Sequence, residues 1–214
     1  MLRRIGTIGD IHGEDASLAS VLAFFATQRL DAIASVGDIV DGGRDAERCC
    51  QLLRDARVHV VVGNHERWFL RDEMRMLRDI TPREALSEDT QAWLGSLPKT
   101  RTFETAAGVL LLCHGAGEND MEAVYPDEPA YIVRQRTPVE AILAMGDVDI
   151  VLGGHTHQRM VRRIDHVTFV NAGTLRPGDS PCCAVLDLEK REVAFFDVRD
   201  GEVRAERIVP FGTR

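Results

Sequence analysis

"VVVGNHERWF", residues 60–69, runs through three valines and a glycine and then sets a carboxamide, an imidazole and a carboxylate side by side at Asn64, His65 and Glu66. A continuous apolar run bounded by glycine reads as a strand buried on both faces, the mark of a parallel sheet covered by helices. Its polar ending is then a strand C-terminus, the end at which open α/β sheets collect ligands. The pattern recurs four times. "IGTIGD" leads to Asp10-Ile11-His12, "DAIASVGD" to Gly37-Asp38, "GVLLLCHG" to Cys113-His114-Gly115, and "VDIVLGGH" to Gly153-Gly154-His155-Thr156-His157. Five of the seven histidines sit in these endings, and only His59 and His166 lie elsewhere.

Working outward, each early run is followed by an amphipathic stretch. Helices are expected at Asp15–Arg29, with Leu18, Val21, Leu22 and Phe25 on one face, at Asp45–Ala56 and at Arg67–Asp79. "TPREALSEDTQAWLGSLP" reads as a helix capped by Thr81, with Pro82 at its first position and Glu84 closing the box. Residues 116–138 are polar, carry three prolines and read as a long surface excursion, after which Thr137-Pro138 opens a helix to Met145. From residue 167 onward the pattern changes to alternation and turns, so antiparallel strands are expected, two of them a hairpin through Glu189-Lys190. The class is α/β, in one domain over residues 1–214 with surface excursions near 79–98 and 116–138.

At 214 residues, 44% apolar, the chain can bury one proper core. Its 34 acidic against 26 basic residues leave a formal charge of −8, the wrong sign for general nucleic-acid binding. No run approaches membrane-spanning length, and the start lacks the pattern of a signal peptide. Four of the five cysteines form the adjacent pairs Cys49-Cys50 and Cys182-Cys183, a poor disulfide framework, so a reducing cytoplasm is expected. Oligomeric state is not readable.

Taken singly, Asp10 or Asp38 reads as a helix cap and any one histidine as a hydrogen-bonded structural residue. All five endings carrying coordinating atoms point instead to a metal site. Carboxylate, carboxamide and imidazole without thiolate suit manganese, iron, zinc, cobalt or nickel. Seven potential donors are too many for one four-coordinate zinc. Two ions, about 3.5–4 Å apart and bridged by one carboxylate, would use them all.

The residues resemble the calcineurin-like metallophosphoesterases: Asp-x-His at Asp10 and His12, Gly-Asp-x-x-Asp at Gly37, Asp38 and Asp41, Gly-Asn-His-Glu at Gly63 to Glu66, a lone histidine after a strand at His114, and Gly-His-x-His at Gly154, His155 and His157. The resemblance implies a four-layer α-β-β-α sandwich with mixed sheets and the metals at one edge. It implies that Asp10, His12 and His157 hold one ion, that Asn64, His114 and His155 hold the other, and that Asp38 bridges them. It also makes His65 the catalytic histidine, oriented by Asp41. Two divalent ions, manganese first, would then generate hydroxide and bind phosphate oxygens, while His65 protonates the leaving group. Glu66 has no catalytic claim beyond favouring the start of a helix.

One departure bears on substrate. Protein serine/threonine phosphatases and dinucleoside tetraphosphatases of this family carry Asp-Arg-Gly where this chain reads Asp41-Gly42-Gly43. Arg44, Arg67 or Arg176 is a candidate replacement for the missing guanidinium. The gap points toward the small bacterial-type phosphodiesterases, whose Asn-x-Gly-Ser/Thr loop Asn171-Ala172-Gly173-Thr174 resembles. The expected activity is therefore hydrolysis of a small phosphodiester or phosphomonoester. The alternatives are a dinucleoside polyphosphate or phosphoprotein phosphatase and, from another class, a silent binding platform of the same fold. Tyr125, Tyr131, Arg134 and Arg136 in the excursion are candidate leaving-group contacts.

Overall fold

The computed structural model describes residues 1–212, apart from the side chain of residue 206. The first sheet is built from β1 (Arg4–Ile8), β2 (Ala32–Ser35) and β3 (His59–Val60), parallel to one another and joined through α1 (Asp15–Thr27) and α2 (Ala46–Asp55). The second contains β4 (Thr100–Thr105), β5 (Gly108–Cys113), β6 (Val148–Gly153), β7 (Arg159–Ile164) and β8 (Val167–Ala172), in the order β4-β5-β6-β8-β7. The last strands, β9 (Cys182–Asp187), β10 (Glu192–Arg199) and β11 (Glu202–Pro210), return antiparallel beside β1 and complete a first sheet of order β11-β10-β9-β1-β2-β3. The remaining helices are α3 (Asn64–Arg71), α4 (Glu88–Ser96), α5 (Ala130–Arg134) and α6 (Thr137–Met145).

Strand alternation sorts the apolar residues into three cores, and these define four layers. Ile5, Ala34, Val36, Ala184 and Leu186 meet Leu110, Leu112, Ile150, Leu152 and Val170 between the sheets. The opposite face of the first sheet, with Ile8, Val60, Cys183 and Val185, packs on Leu18, Val21, Phe25, Cys49, Cys50, Leu53 and Leu94 of the helices. The outer face of the second sheet buries Leu111, Cys113, Val151 and Phe169 against Val133, Val139 and Ile142. Strands covered on both faces explain why the runs read as continuously apolar. A side chain at Gly6 would stand 2.7 Å from Leu30 and 2.9 Å from Phe25, so this glycine lets the helix layer approach β1. All five cysteines are free and buried, and no helix of the described residues is long and apolar enough to cross a membrane.

Several expectations change. The helix expected from Arg67 begins three residues earlier at Asn64 and stops at Arg71, where Asp72 turns left-handed at φ 58°. The expected 81–98 helix is a short 3-10 turn at Arg83–Ala85 followed by α4, whose cap is Ser87, its Oγ accepting from Thr90 N–H at 3.2 Å. Thr81 is committed elsewhere, to Asp41. Two strands, β4 and β7, escape the sequence pattern because Arg101, Glu104, Arg159, Arg162 and Arg163 interrupt their apolar alternation. The 116–138 excursion contains α5 and buries Val124 and Val133. Arg136 binds the carbonyl of Ala123 and the carboxylate of Glu128, and Arg162 binds the carbonyls of Tyr125 and Glu128, so two guanidinium groups stand in for regular structure there.

Candidate metal centre

The polar strand endings meet because their loops hydrogen-bond to one another. Ile11 and His12 N–H both donate to Asp38 O, at 2.9 and 2.8 Å, and Gly13 N–H donates to Ile39 O at 2.7 Å, which joins the loops after β1 and β2. Leu175 N–H and Thr174 Oγ1 donate to Asp10 O, each at 2.8 Å. Asn171 Nδ2 donates to Gly154 O at 2.7 Å and to Thr156 Oγ1 at 3.0 Å, so the Asn171–Thr174 loop holds both the Asp10 and the His155–His157 segments. These turns are tight: His12, Asp38, Asp41, His155 and His157 all have left-handed backbone, at φ 51°, 46°, 60°, 67° and 59°. Such residues cost about 1 kcal/mol or more each and persist only where surroundings over-determine them. A side chain at Gly63 would stand 2.2 Å from Asp38 Oδ1, so only glycine admits this approach of α3 to the Asp38 carboxylate.

Three groups of potential ligand atoms result: Asp10, His12 and His157; His12, Asp38 and His65; and Asp38, His114 and His155. Asn64 joins the last, its Oδ1 lying 2.9 Å from His114 Nε2 and 3.0 Å from His155 Nδ1. All seven residues expected to bind metal are therefore together, and Asp38 Oδ2 lies 3.3 Å from His114 Nε2 and 4.0 Å from His12 Nε2.

The ring orientations test whether a cation fits. A carbonyl oxygen only accepts, so His12 Nδ1 and His114 Nδ1 carry protons and donate to Asp41 O at 2.7 Å and Val36 O at 2.8 Å. His157 Nδ1 lies 3.1 Å from the Asp179 carboxylate and is fixed in the same sense. The Nε2 atoms of His12 and His157, 3.0 Å apart, then direct lone pairs at each other. A cation relieves that repulsion, and a carbonyl or carboxylate behind each ring is the usual support for a metal-binding imidazole. The residues present fit divalent metal.

Charge in the metal-free pocket follows. Burial pushes Asp10 up to about 6, with Asp38 adding to the shift and His114 opposing it. Burial would raise Asp38 too, but His114, together with His65 and His12, outweighs it and holds this carboxyl well below its ordinary range. Burial works against a charge on His114, yet Asp38 and Asp10 outweigh it and lift the ring to about 10. Burial lowers His12 to about 4 and lowers His155. A proton on His114 thus supplies positive charge that the carboxylates require.

Beside the cluster, His65 Nδ1 lies 2.9 Å from Asp41 Oδ2. Burial lowers the basicity of this ring, but the Asp41 hydrogen bond and the charge of Asp38 prevail and raise it. Asp41 is itself clamped: its N–H donates to Thr81 Oγ1 at 2.8 Å and Thr81 N–H returns to Asp41 Oδ1 at 2.7 Å. Arg75 donates to Thr81 O and stands 3.8 Å from Asp41 Oδ1. Thr81, Arg75, Asp179 and the full role of Glu66 escaped sequence reasoning, since each depends on a contact between distant segments. Glu66, completely buried, accepts from backbone N–H groups on two loops.

Arg44 Nε is 2.9 Å from Glu14 Oε2, and Arg67 is bidentate to Asp120 at 2.6 and 3.0 Å and bound to Glu73 at 3.0 Å. Arg176 is exposed, its backbone N–H donating to Thr174 Oγ1. Arg134 pairs with Asp165, Arg136 with Glu122 and Glu128, and Tyr131 and Arg134 line a cavity that contains none of the cluster residues. Arg134 and Arg136 are thus both engaged in ion pairs with carboxylates.

Comparison with known proteins agrees with this architecture. The family model described as Calcineurin-like phosphoesterase superfamily domain matches residues 3–191. A serine/threonine-protein phosphatase 1 of Salmonella typhimurium is 40% identical over 70 residues, which is 32% of this chain and 32% of that protein. The match thus spans about a third of that curated relative. The crystal structure of a metallophosphoesterase from Sphaerobacter thermophilus has a TM-score of 0.69 at 24% identity, covering 93% of this chain and 89% of that one. A mutant of Vps29 from Entamoeba histolytica has a TM-score of 0.59 at 20% identity, covering 98% and 99%.

Proposed function

We propose that this chain, which belongs to the calcineurin-like phosphoesterase superfamily, hydrolyses a small phosphate ester, a phosphodiester in preference to a phosphomonoester, with two divalent ions as cofactor, manganese first among them. In this reading Asp10, His12 and His157 hold one ion, Asn64, His114 and His155 hold the other, and Asp38 serves both. The observation that carries it is the place of Asp38, a single carboxylate within 3.3 Å of His114 and 4.0 Å of His12. When bound, such ions neutralise phosphate oxygens and lower the pKa of water enough to make a nucleophile at neutral pH.

The chain's own residues handle the proton. An alkoxide leaves poorly unless it is protonated, and His65, whose hold on a proton Asp41 and Asp38 strengthen against burial, is the group suited to give that proton. Asp41 engages Nδ1 and so fixes the ring's orientation, leaving Nε2 as the atom that carries the transferable proton, and Thr81 keeps Asp41 from turning. The edge of Trp68, its ring centroid 4.8 Å from that of His65, limits rotation of the imidazole. The diester preference rests on the arginines: the residue after Asp41 is glycine, Arg44 and Arg67 are paired with carboxylates, and Arg176, the third candidate, stands exposed to solvent. A dianionic monoester gains less in such a site than in one with a free guanidinium.

The partial likeness to a protein phosphatase favours a second reading, phosphoprotein hydrolysis, and Vps29, a vacuolar sorting protein, favours a third, a binding platform of the same fold. The retained donor set and the Asp41–His65 pair favour the enzyme. Five buried free thiols fit work in the cytoplasm as one domain, and the acidic balance fits a small substrate rather than nucleic acid. Assay of the manganese-loaded protein on bis-p-nitrophenyl phosphate, p-nitrophenyl phosphate and a phosphopeptide tests these readings. We expect turnover of the diester first. No turnover of any of them, with metal verified as bound, contradicts the enzyme reading, and partner capture that survives Asp38→Asn favours the platform.

A further inference from the structure

We infer that Glu66 is a positioning residue that couples the metal-holding carboxylate Asp38 to the Asp41–His65 acid pair, by acting as the template on which the 38–40 backbone is folded. The inference rests on the reading of Asp38 as a ligand and of His65 as the acid.

A glutamate in the first turn of a helix ordinarily bonds one nearby backbone N–H, and here that bond is made to Gly63 N–H at 2.9 Å. Three further bonds go to a different loop, 26 to 28 residues away. Asp38 N–H donates to Oε2 at 2.8 Å, and Ile39 and Val40 N–H donate to Oε1 at 2.6 and 3.1 Å. Each carboxylate oxygen therefore accepts two backbone donors, and the residue has no exposed surface. Helix capping explains one of the four bonds.

The other three span the peptide units between Asp38 and Asp41, whose left-handed conformations aim one carboxylate at the metal cluster and the other at His65. The contact is reciprocal, because His65 N–H donates to Asp38 Oδ1 at 3.0 Å. The start of α3 and the loop after β2 thus hold each other by opposite ends: a carboxylate of the loop on an N–H of the helix, and a carboxylate of the helix on three N–H groups of the loop. Four backbone N–H donors on its two oxygens favour the ionised form of Glu66. Gln in its place keeps the shape but turns one oxygen into a donor facing two N–H groups.

The test is residue-resolved hydrogen exchange on the full chain, wild type and Glu66→Gln, metal-free and with Mn²⁺, together with titration of Mn²⁺ and the pH dependence of turnover. We expect the amides of Asp38, Ile39, Val40 and Gly63 to exchange at least about tenfold faster in Glu66→Gln, with β5 and β9 unchanged. We also expect Mn²⁺ affinity to fall about 10–100-fold, as for other supports behind metal ligands, and the acidic-group pKa of the kcat profile to move. Glu66→Asp, which keeps the charge but is one methylene shorter, should recover part of the protection. Unchanged exchange at those four amides, or a loss spread evenly over β5 and β9, overturns the inference, as does unaltered Mn²⁺ affinity in Glu66→Gln. Should the wild type hydrolyse no phosphate ester, the enzyme reading fails, while the exchange and Mn²⁺ arms still decide the role of Glu66.

Discussion

Two irregular segments of this molecule, residues 37–43 and 116–129, are ordered by opposite means. The first is held from inside: the N–H groups of Asp38, Ile39 and Val40 end on Glu66, that of Asp41 ends on Thr81, and Asp38 and Asp41 are themselves buried. The second is held from outside, by Arg136 and Arg162 reaching its carbonyls and carboxylates. An acceptor binding N–H groups leaves the loop's own carboxylates free to point at a ligand, whereas guanidinium groups consume acceptors. That difference suits the shorter segment to holding a ligand, although the longer one offers more polar side chains.

The contrast can be broken at several points, and the largest effect is expected at Asp38. Asp38→Asn should lower bound metal, read by elemental analysis, and abolish turnover together, because one side chain faces both His12 and His114. His65→Ala should reduce kcat by about 10²–10⁴-fold, the usual worth of a general acid, with metal content nearly unchanged.

Metal uptake should depend on pH. His114 is raised to about 10 by Asp38 and Asp10 against burial, so the stability its proton lends the metal-free fold is full below the ordinary histidine pKa and is lost progressively as pH rises from there to about 10. Mn²⁺ must displace that proton, and apparent affinity by calorimetry should rise about tenfold per pH unit between about 7 and 9. An affinity flat in pH would contradict this pairing. Asp179→Asn, acting behind His157 from a partly exposed loop, should weaken metal binding about tenfold, the low end for such supports. The smallest effect is expected outside the centre: Arg136→Ala should cost about 1–2 kcal/mol of stability by thermal unfolding and leave kcat within about twofold.

The comparison also shows what a sequence can display. The strand endings were legible because buried strands are continuously apolar, so Asp10, His12, Asn64, His114, His155 and His157 stand out where each run stops. The α1, α2 and α6 helices were legible from periodicity and caps. Glu66 was not, since a glutamate after Gly-Asn-His looks like any first-turn acid, and only the approach of two loops reveals its four donors. Thr81 has the local signature of a helix cap, and the competing bond to Asp41 comes from 40 residues away. Arg67 looked available to a phosphate until Asp120 and Glu73 closed around it. The edges of the second sheet, β4 and β7, were obscured by charged residues, which edge strands tolerate and buried strands do not.

The most direct measurement is anomalous diffraction from crystals of the manganese-loaded protein. Two peaks about 3.5–4 Å apart are expected, one contacted by Asp10, His12 and His157 and the other by Asn64, His114 and His155, with Asp38 touching both. A single peak, or peaks away from these side chains, would contradict the two-ion centre and the phosphoesterase chemistry built on it.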